Sequence, residues 1–167
     1  MSKSAVPRSP RVLSVRVKKT RNRTAASRAW LERQLNDPYV AAAQAQGYRS
    51  RAAFKLMELD DKYRLIRKGG RVVDLGAAPG GWTQVVVQRG ARSVVALDLL
   101  PLDPVAGAVI LQGDFNDPAM PDILTAALGG KADLGMSDMA PNTTGHTATD
   151  HLRIRGLAEL ALDFAMD

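Results

Sequence analysis

The chain has 167 residues, 46% of them hydrophobic, a length that suits one domain burying about two-thirds of its unfolded surface. It has no cysteine, which excludes disulfides, thiolate catalysis and Cys-ligated zinc, and no apolar run near the roughly 20 residues that span a bilayer. The net charge of +6 is uneven: residues 1–71 carry 18 Lys and Arg against 5 Asp and Glu (+13), and residues 72–167 carry 5 against 12 (−7), so the first half suits a polyanion.

Residues 1–26, with Pro7, Pro10 and dense Arg and Lys but little apolar periodicity, read as a flexible basic arm. The first 28 residues hold no acid, a composition that transit peptides and RNA-binding arms share. Ordered structure is expected from Ser27, an N-cap for a helix over Arg28–Leu35. Asn36-Asp37-Pro38 breaks that helix, and Pro38 starts a second one through Ala45. Ser50 is expected to cap a third, with Ala53, Phe54, Leu56, Met57 and Leu59 on or around its apolar stripe, before Gly69-Gly70 ends the region. From Arg71 short apolar runs alternate with helical stretches. Strands are predicted at Val72–Leu75, Ser93–Asp98, Val109–Gln112 and Ala132–Ser137, with helices at Trp82–Arg89 and Thr149–Met166. This alternation specifies an α/β fold, a parallel sheet flanked by helices.

Such sheets bind ligands beyond the carboxyl ends of their strands, where Gly76–Trp82, Asp98, Asp114 and Asp138 all fall. Asp74-Leu75-Gly76-Ala77-Ala78-Pro79-Gly80-Gly81-Trp82 is a strand-to-helix turn with little side-chain bulk, so a ligand can approach its backbone. It matches neither G-x-G-x-x-G nor the phosphate-binding P-loop. A ligand with a carboxylate, an amine and an adenosine but no phosphate fits it better. Asp98 is placed for ribose hydroxyls and Asp114 for the exocyclic amine of adenine, with a cap or turn role as the alternative for each. Trp82 is a ligand contact or helix-face packing. Asp138, in the turn Ser137–Asn142, would be stabilised beside a cationic ligand. Arg49 and Arg51 favour RNA. Tyr39 and Tyr48 suit helix packing better than base stacking. His146 and His151 lack H-E-x-x-H spacing, and no metal is expected.

Five co-linear segments, Tyr48–Leu56, Asp74–Trp82, Asp98–Pro101, Gln112–Phe115 and Ser137–Asn142, together resemble the FtsJ/RrmJ family and, within it, the bacterial RlmE group. The resemblance covers roughly residues 27–167. It implies a Rossmann-like class I methyltransferase fold, S-adenosylmethionine as cofactor, and methyl transfer to a uridine 2′-OH in 23S rRNA of the large ribosomal subunit. A cytoplasmic monomer without a membrane anchor is expected. Carried onto this sequence, Gly80 and Trp82 would hold the methionine end, Asp98 the ribose and Asp114 the adenine, with Asp138 beside the methyl group. Lys55 and Asp138 match the first two members of the family's catalytic Lys-Asp-Lys-Glu set. The second lysine and the glutamate have no counterpart before Asp167. The methyltransferase domain, residues 27–167, is therefore expected to be truncated, its C-terminal strands missing, with most cofactor contacts and weak activity or none. The alternative is an RNA- or ribosome-binding fragment that keeps the cofactor site.

Overall fold

The computed structural model describes Arg16 and residues 24–138. The rest of the basic arm before Thr24, residues 139–142, both histidines and the helix expected over 149–166 lie outside the described residues. Three helices come first, α1 (Ala25–Leu35), α2 (Pro38–Ala45) and α3 (Ala52–Tyr63). They are followed by β1 (Arg71–Leu75), α4 (Gly81–Gln88), β2 (Ser93–Asp98), β3 (Val109–Gln112), α5 (Met120–Leu128) and β4 (Leu134–Ser137).

The helix starts show where local pattern was followed and where it was not. Thr24, rather than Ser27, caps α1, its Oγ1 accepting from the Ser27 amide at 3.1 Å. α2 begins at Pro38 as expected, with Asp37 Oδ1 accepting from the Tyr39 amide at 2.8 Å. Ser50 is not the cap of α3: Arg51 occupies that position without a side-chain bond, and Ser50 packs against the glycine loop instead. α5 was not anticipated. Met120, Leu124 and Leu128 recur every four residues, and all three are buried against the sheet.

All strand pairings are parallel, in the order β3-β2-β1-β4. A parallel sheet needs cover on both faces, and β1 and β2 are buried along almost their whole length. Strand alternation divides the core in two. Val72, Val94 and Met136 pack with Ala53 and Leu56 of α3 and Val85 and Val86 of α4. Val73, Leu75, Val95 and Leu97 pack with Leu124 and Leu128 of α5. Val85-Val86-Val87 has poor helix propensity, and tertiary burial overrides it: Val85 is 1% and Val86 0% exposed.

The chain winds outward from β1 to β3 and returns to the other side of β1 for β4. The strand order therefore reverses between β1 and β4, and a crevice opens at their carboxyl ends. α3 and α4 are clasped at both ends beside that crevice. Trp82 Nε1 donates to Ala52 O at 2.8 Å, and Arg89 pairs with Asp60 at 3.3 Å and Asp61 at 2.7 Å. These clasps fix Lys55, in the first turn of α3, relative to the sheet. Among the described residues no helix is long and apolar enough to cross a membrane.

Candidate active site

A cleft of about 380 Å³ occupies the crevice, a size typical of small-molecule sites. Asp74, Gly76, Gly81, Trp82 and Asp138 line one side, and α2 with the turn before α3 lines the other. Gly80 caps α4 with φ 105°, and a Cβ there would come within 3.0 Å of Arg49 Nη1. At Gly81 a Cβ would overlap Ser50 Oγ. Gly80 makes no side-chain cap bond, so no cap side chain competes for the first-turn amides of α4. Gly81→Ala is expected to lower unfolding free energy by about 1–3 kcal/mol through overpacking, with Ser50→Gly restoring most of it in the double variant. Denaturant unfolding of both singles and the double would show this, and simple additivity would discount the contact.

Lys55 and Asp138 are 83 positions apart in sequence and are brought together here: Lys55 Nζ lies 3.8 Å from Asp138 Oδ1 and 5.6 Å from the centroid of the Trp82 ring. Asp138 is held at the end of β4 by its amide, which donates to Leu75 O at 3.3 Å. Trp82 is partly buried and packs between helices as one reading of the sequence expected: its indole nitrogen anchors α3, while the residue also lines the cleft.

Of the residues expected to hold the cofactor, Gly80, Asp98 and Asp114 stand outside the lining of this cleft. Asp98 Oδ2 accepts from the Ala78 amide and Oδ1 from the Leu100 amide, both at 2.8 Å, so it braces the glycine loop from the end of β2. A carboxylate has about four lone-pair positions, which leaves acceptor capacity for a ligand. Asp114 forms a turn: Oδ1 accepts from the Asn116 amide at 2.9 Å and from Asn116 Nδ2 at 2.7 Å, and these bonds, the backbone one foremost, hold its carboxyl below the usual range.

Sequence reasoning passed over Asp74. It lines the cleft from β1, is 1% exposed, and accepts from Thr83 Oγ1 at 2.7 Å. Burial pushes its carboxyl up to about 6, against the Thr83 bond, with Asp138 and Asp98 adding to the rise. An acid within the buried run Val72-Val73-Asp74-Leu75 was the available signal. Arg49 and Arg51 also have internal roles. The Arg49 guanidinium donates to the carbonyls of Asp103 (2.6 Å), Pro104 (2.7 Å) and Pro79 (3.4 Å), tying the β2–β3 loop to the glycine loop. Arg51 pairs with Asp37.

The sheet order, the glycine loop entering α4, and the acids ending β2 and following β4 define a Rossmann-like methyltransferase fold. The model of the FtsJ-like methyltransferase family matches residues 48–167, and the chain belongs to that family. It is similar to ribosomal RNA large subunit methyltransferase E of Gluconobacter oxydans, 68% identical over 162 residues, covering 97% of this chain and 60% of that protein. The protein of the same name from Granulibacter bethesdensis is 67% identical over 165 residues, covering 99% of this chain and 72% of that protein. The chain thus spans about three-fifths of the first relative's length. The crystal structure of a ribosomal RNA methyltransferase from Plasmodium falciparum is similar with a TM-score of 0.63 at 32% identity, covering 71% of this chain and 70% of that one. Membership of a methyltransferase family implies a methyl donor.

Proposed function

We propose that this chain carries the donor site and part of the acceptor site of an S-adenosylmethionine-dependent enzyme that methylates a uridine 2′-OH in 23S rRNA of the large ribosomal subunit. The observation that supports it most is the Lys55–Asp138 pair beside the glycine cleft. The setting is a cytoplasmic monomer whose reaction calls for no metal.

The cleft suits that donor. Gly81 and Trp82 line it, and the close packing of Arg49 on Gly80 and of Ser50 on Gly81 fixes the loop that shapes it. Asp74 and Asp138 line it and would offset the charge of a ligand that carries a cationic amine and a sulfonium. Asp98 has lone pairs left for ribose hydroxyls, and Asp114 has an oxygen left for an exocyclic amine. When bound, S-adenosylmethionine supplies an electrophilic methyl, so the protein's task is to position and deprotonate a weak nucleophile. Asp138 accepts the hydrogen bond of the ribose hydroxyl and takes its proton. Lys55, as an ammonium, offsets charge left on that oxygen. Arg49 positions the loops around the donor. Arg49→Ala is expected to weaken S-adenosylhomocysteine binding about tenfold by calorimetry, with Arg49→Lys intermediate; unchanged affinity would remove that role.

The function is tested by transfer of labelled methyl from S-adenosylmethionine to undermethylated large subunits, with nuclease mapping of 2′-O-methylation. A methylated uridine ribose is expected. Cofactor binding without transfer would replace this reading with the ribosome-binding fragment.

A further inference from the structure

A cationic surface lies at the edge formed by the amino ends of the strands, opposite the cleft, where three turns distant in sequence meet. Lys62 in the last turn of α3 and Arg64, Arg67 and Lys68 of the α3–β1 turn are all exposed. The α4–β2 turn packs against it and adds exposed Arg92: Gly69 N donates to Gly90 O and Arg92 N to Gly70 O, both at 2.8 Å, and the Lys68 side chain lies over Gly90. The α5–β4 turn closes the group, with Asp133 N donating to Arg71 O at 2.8 Å and the Arg71 guanidinium over Gly130. Nearby acids are already engaged. Asp60 and Asp61 hold Arg89, and Asp133 Oδ2 accepts from the Arg71 amide at 2.7 Å. Tyr63, the last residue of α3, is 57% exposed, and Lys62 Nζ lies 4.9 Å from its ring centroid. β1 has five residues, so this edge stands roughly 17 Å from the cleft.

We infer that this edge is a second RNA-binding surface, gripping phosphates that flank the target while the cleft holds the reacting ribose. The inference rests on the rRNA substrate proposed above. A solvated turn does not require cations from separate turns to converge, and backbone hydrogen bonds hold these turns together. An anionic membrane shares the charge chemistry. RNA is favoured because the same chain carries a methyltransferase cleft and resembles proteins named for ribosomal RNA.

The test compares the 167-residue chain with its Arg67→Glu/Lys68→Glu/Arg92→Glu variant and with the charge-conserving Arg67→Lys/Lys68→Arg/Arg92→Lys variant. Binding to a 23S rRNA fragment is followed across a salt series. Charge reversal is expected to weaken binding at least tenfold and to flatten the slope of log affinity against log salt by about 2, while the conserving variant keeps both. S-adenosylhomocysteine affinity should not change, which reports an intact fold. Equal RNA affinity and slope in the reversal variant overturns the inference. So does unchanged RNA affinity with lost binding to phosphatidylserine vesicles. If the parent chain binds RNA but transfers no methyl, the proposed activity fails while the binding comparison still decides this surface.

Discussion

Lys55→Ala is expected to lower methyl transfer by about 10²–10⁴-fold while cofactor affinity stays within a few-fold. Lys55 meets Asp138 at 3.8 Å and the Trp82 ring at 5.6 Å, and it is absent from the lining of the cleft. The side chain is 62% exposed, and among the described residues the charged group that meets it is a carboxylate. The geometry suits an ammonium that holds Asp138 in place and stabilises the attacking oxygen. Lys55→Arg keeps the charge but places a wider, planar group, so it should retain RNA binding and lose most of the rate. Single-turnover transfer to undermethylated subunits, beside calorimetric titration of S-adenosylhomocysteine, separates the two effects. A Lys55→Ala rate within tenfold of the parent would remove Lys55 from the reaction.

Asp74→Asn should make the protein more stable at pH 7 and a poorer binder of the cofactor. The folded carboxyl titrates near 6, against an ordinary value of 3.8, chiefly because it is buried. Between those values the folded state holds a proton that the unfolded state has released. The contribution of Asp74 to stability is therefore greatest below about pH 4, falls as pH rises towards 6, and is level above it, a change on the order of 3 kcal/mol. Asparagine has the same shape and no charge, and its carbonyl can still accept from Thr83. The variant should lose this pH dependence and gain up to about 3 kcal/mol at pH 7. It should also lose about tenfold or more in S-adenosylmethionine affinity, because the cleft then lacks a buried anion to face the donor's amine. Urea unfolding of both proteins from pH 4 to 8 isolates the contribution, since every other carboxylate is common to the pair. Parallel stability curves would show that Asp74 does not titrate in this window.

How much of this was legible in advance depended on whether a residue's role was local. β2 and β3 begin and end where their apolar runs do, and Pro38 starts α2 after an Asp37 cap. Each of these is fixed by neighbours within a few positions. The glycine loop was readable for the same reason, since missing bulk is a property of the segment itself. Asp98 and Asp138 could be placed because strand ends could be placed. The sequence by itself thus determined the α/β class, the parallel strands, the glycine loop at the crevice and the charge imbalance. Tertiary structure alone decided what each polar side chain meets. Arg49 reads as an RNA contact until its guanidinium is seen on carbonyls 54 and 55 positions away. Ser50 reads as a cap until Gly81 is found against its hydroxyl. Asp74 reads as one more strand residue until burial on the α4 side of the sheet raises its carboxyl. Periodicity assigns a residue to a face; hydrogen bonds, desolvation and close packing depend on atoms that come together only when distant segments of the chain fold against one another.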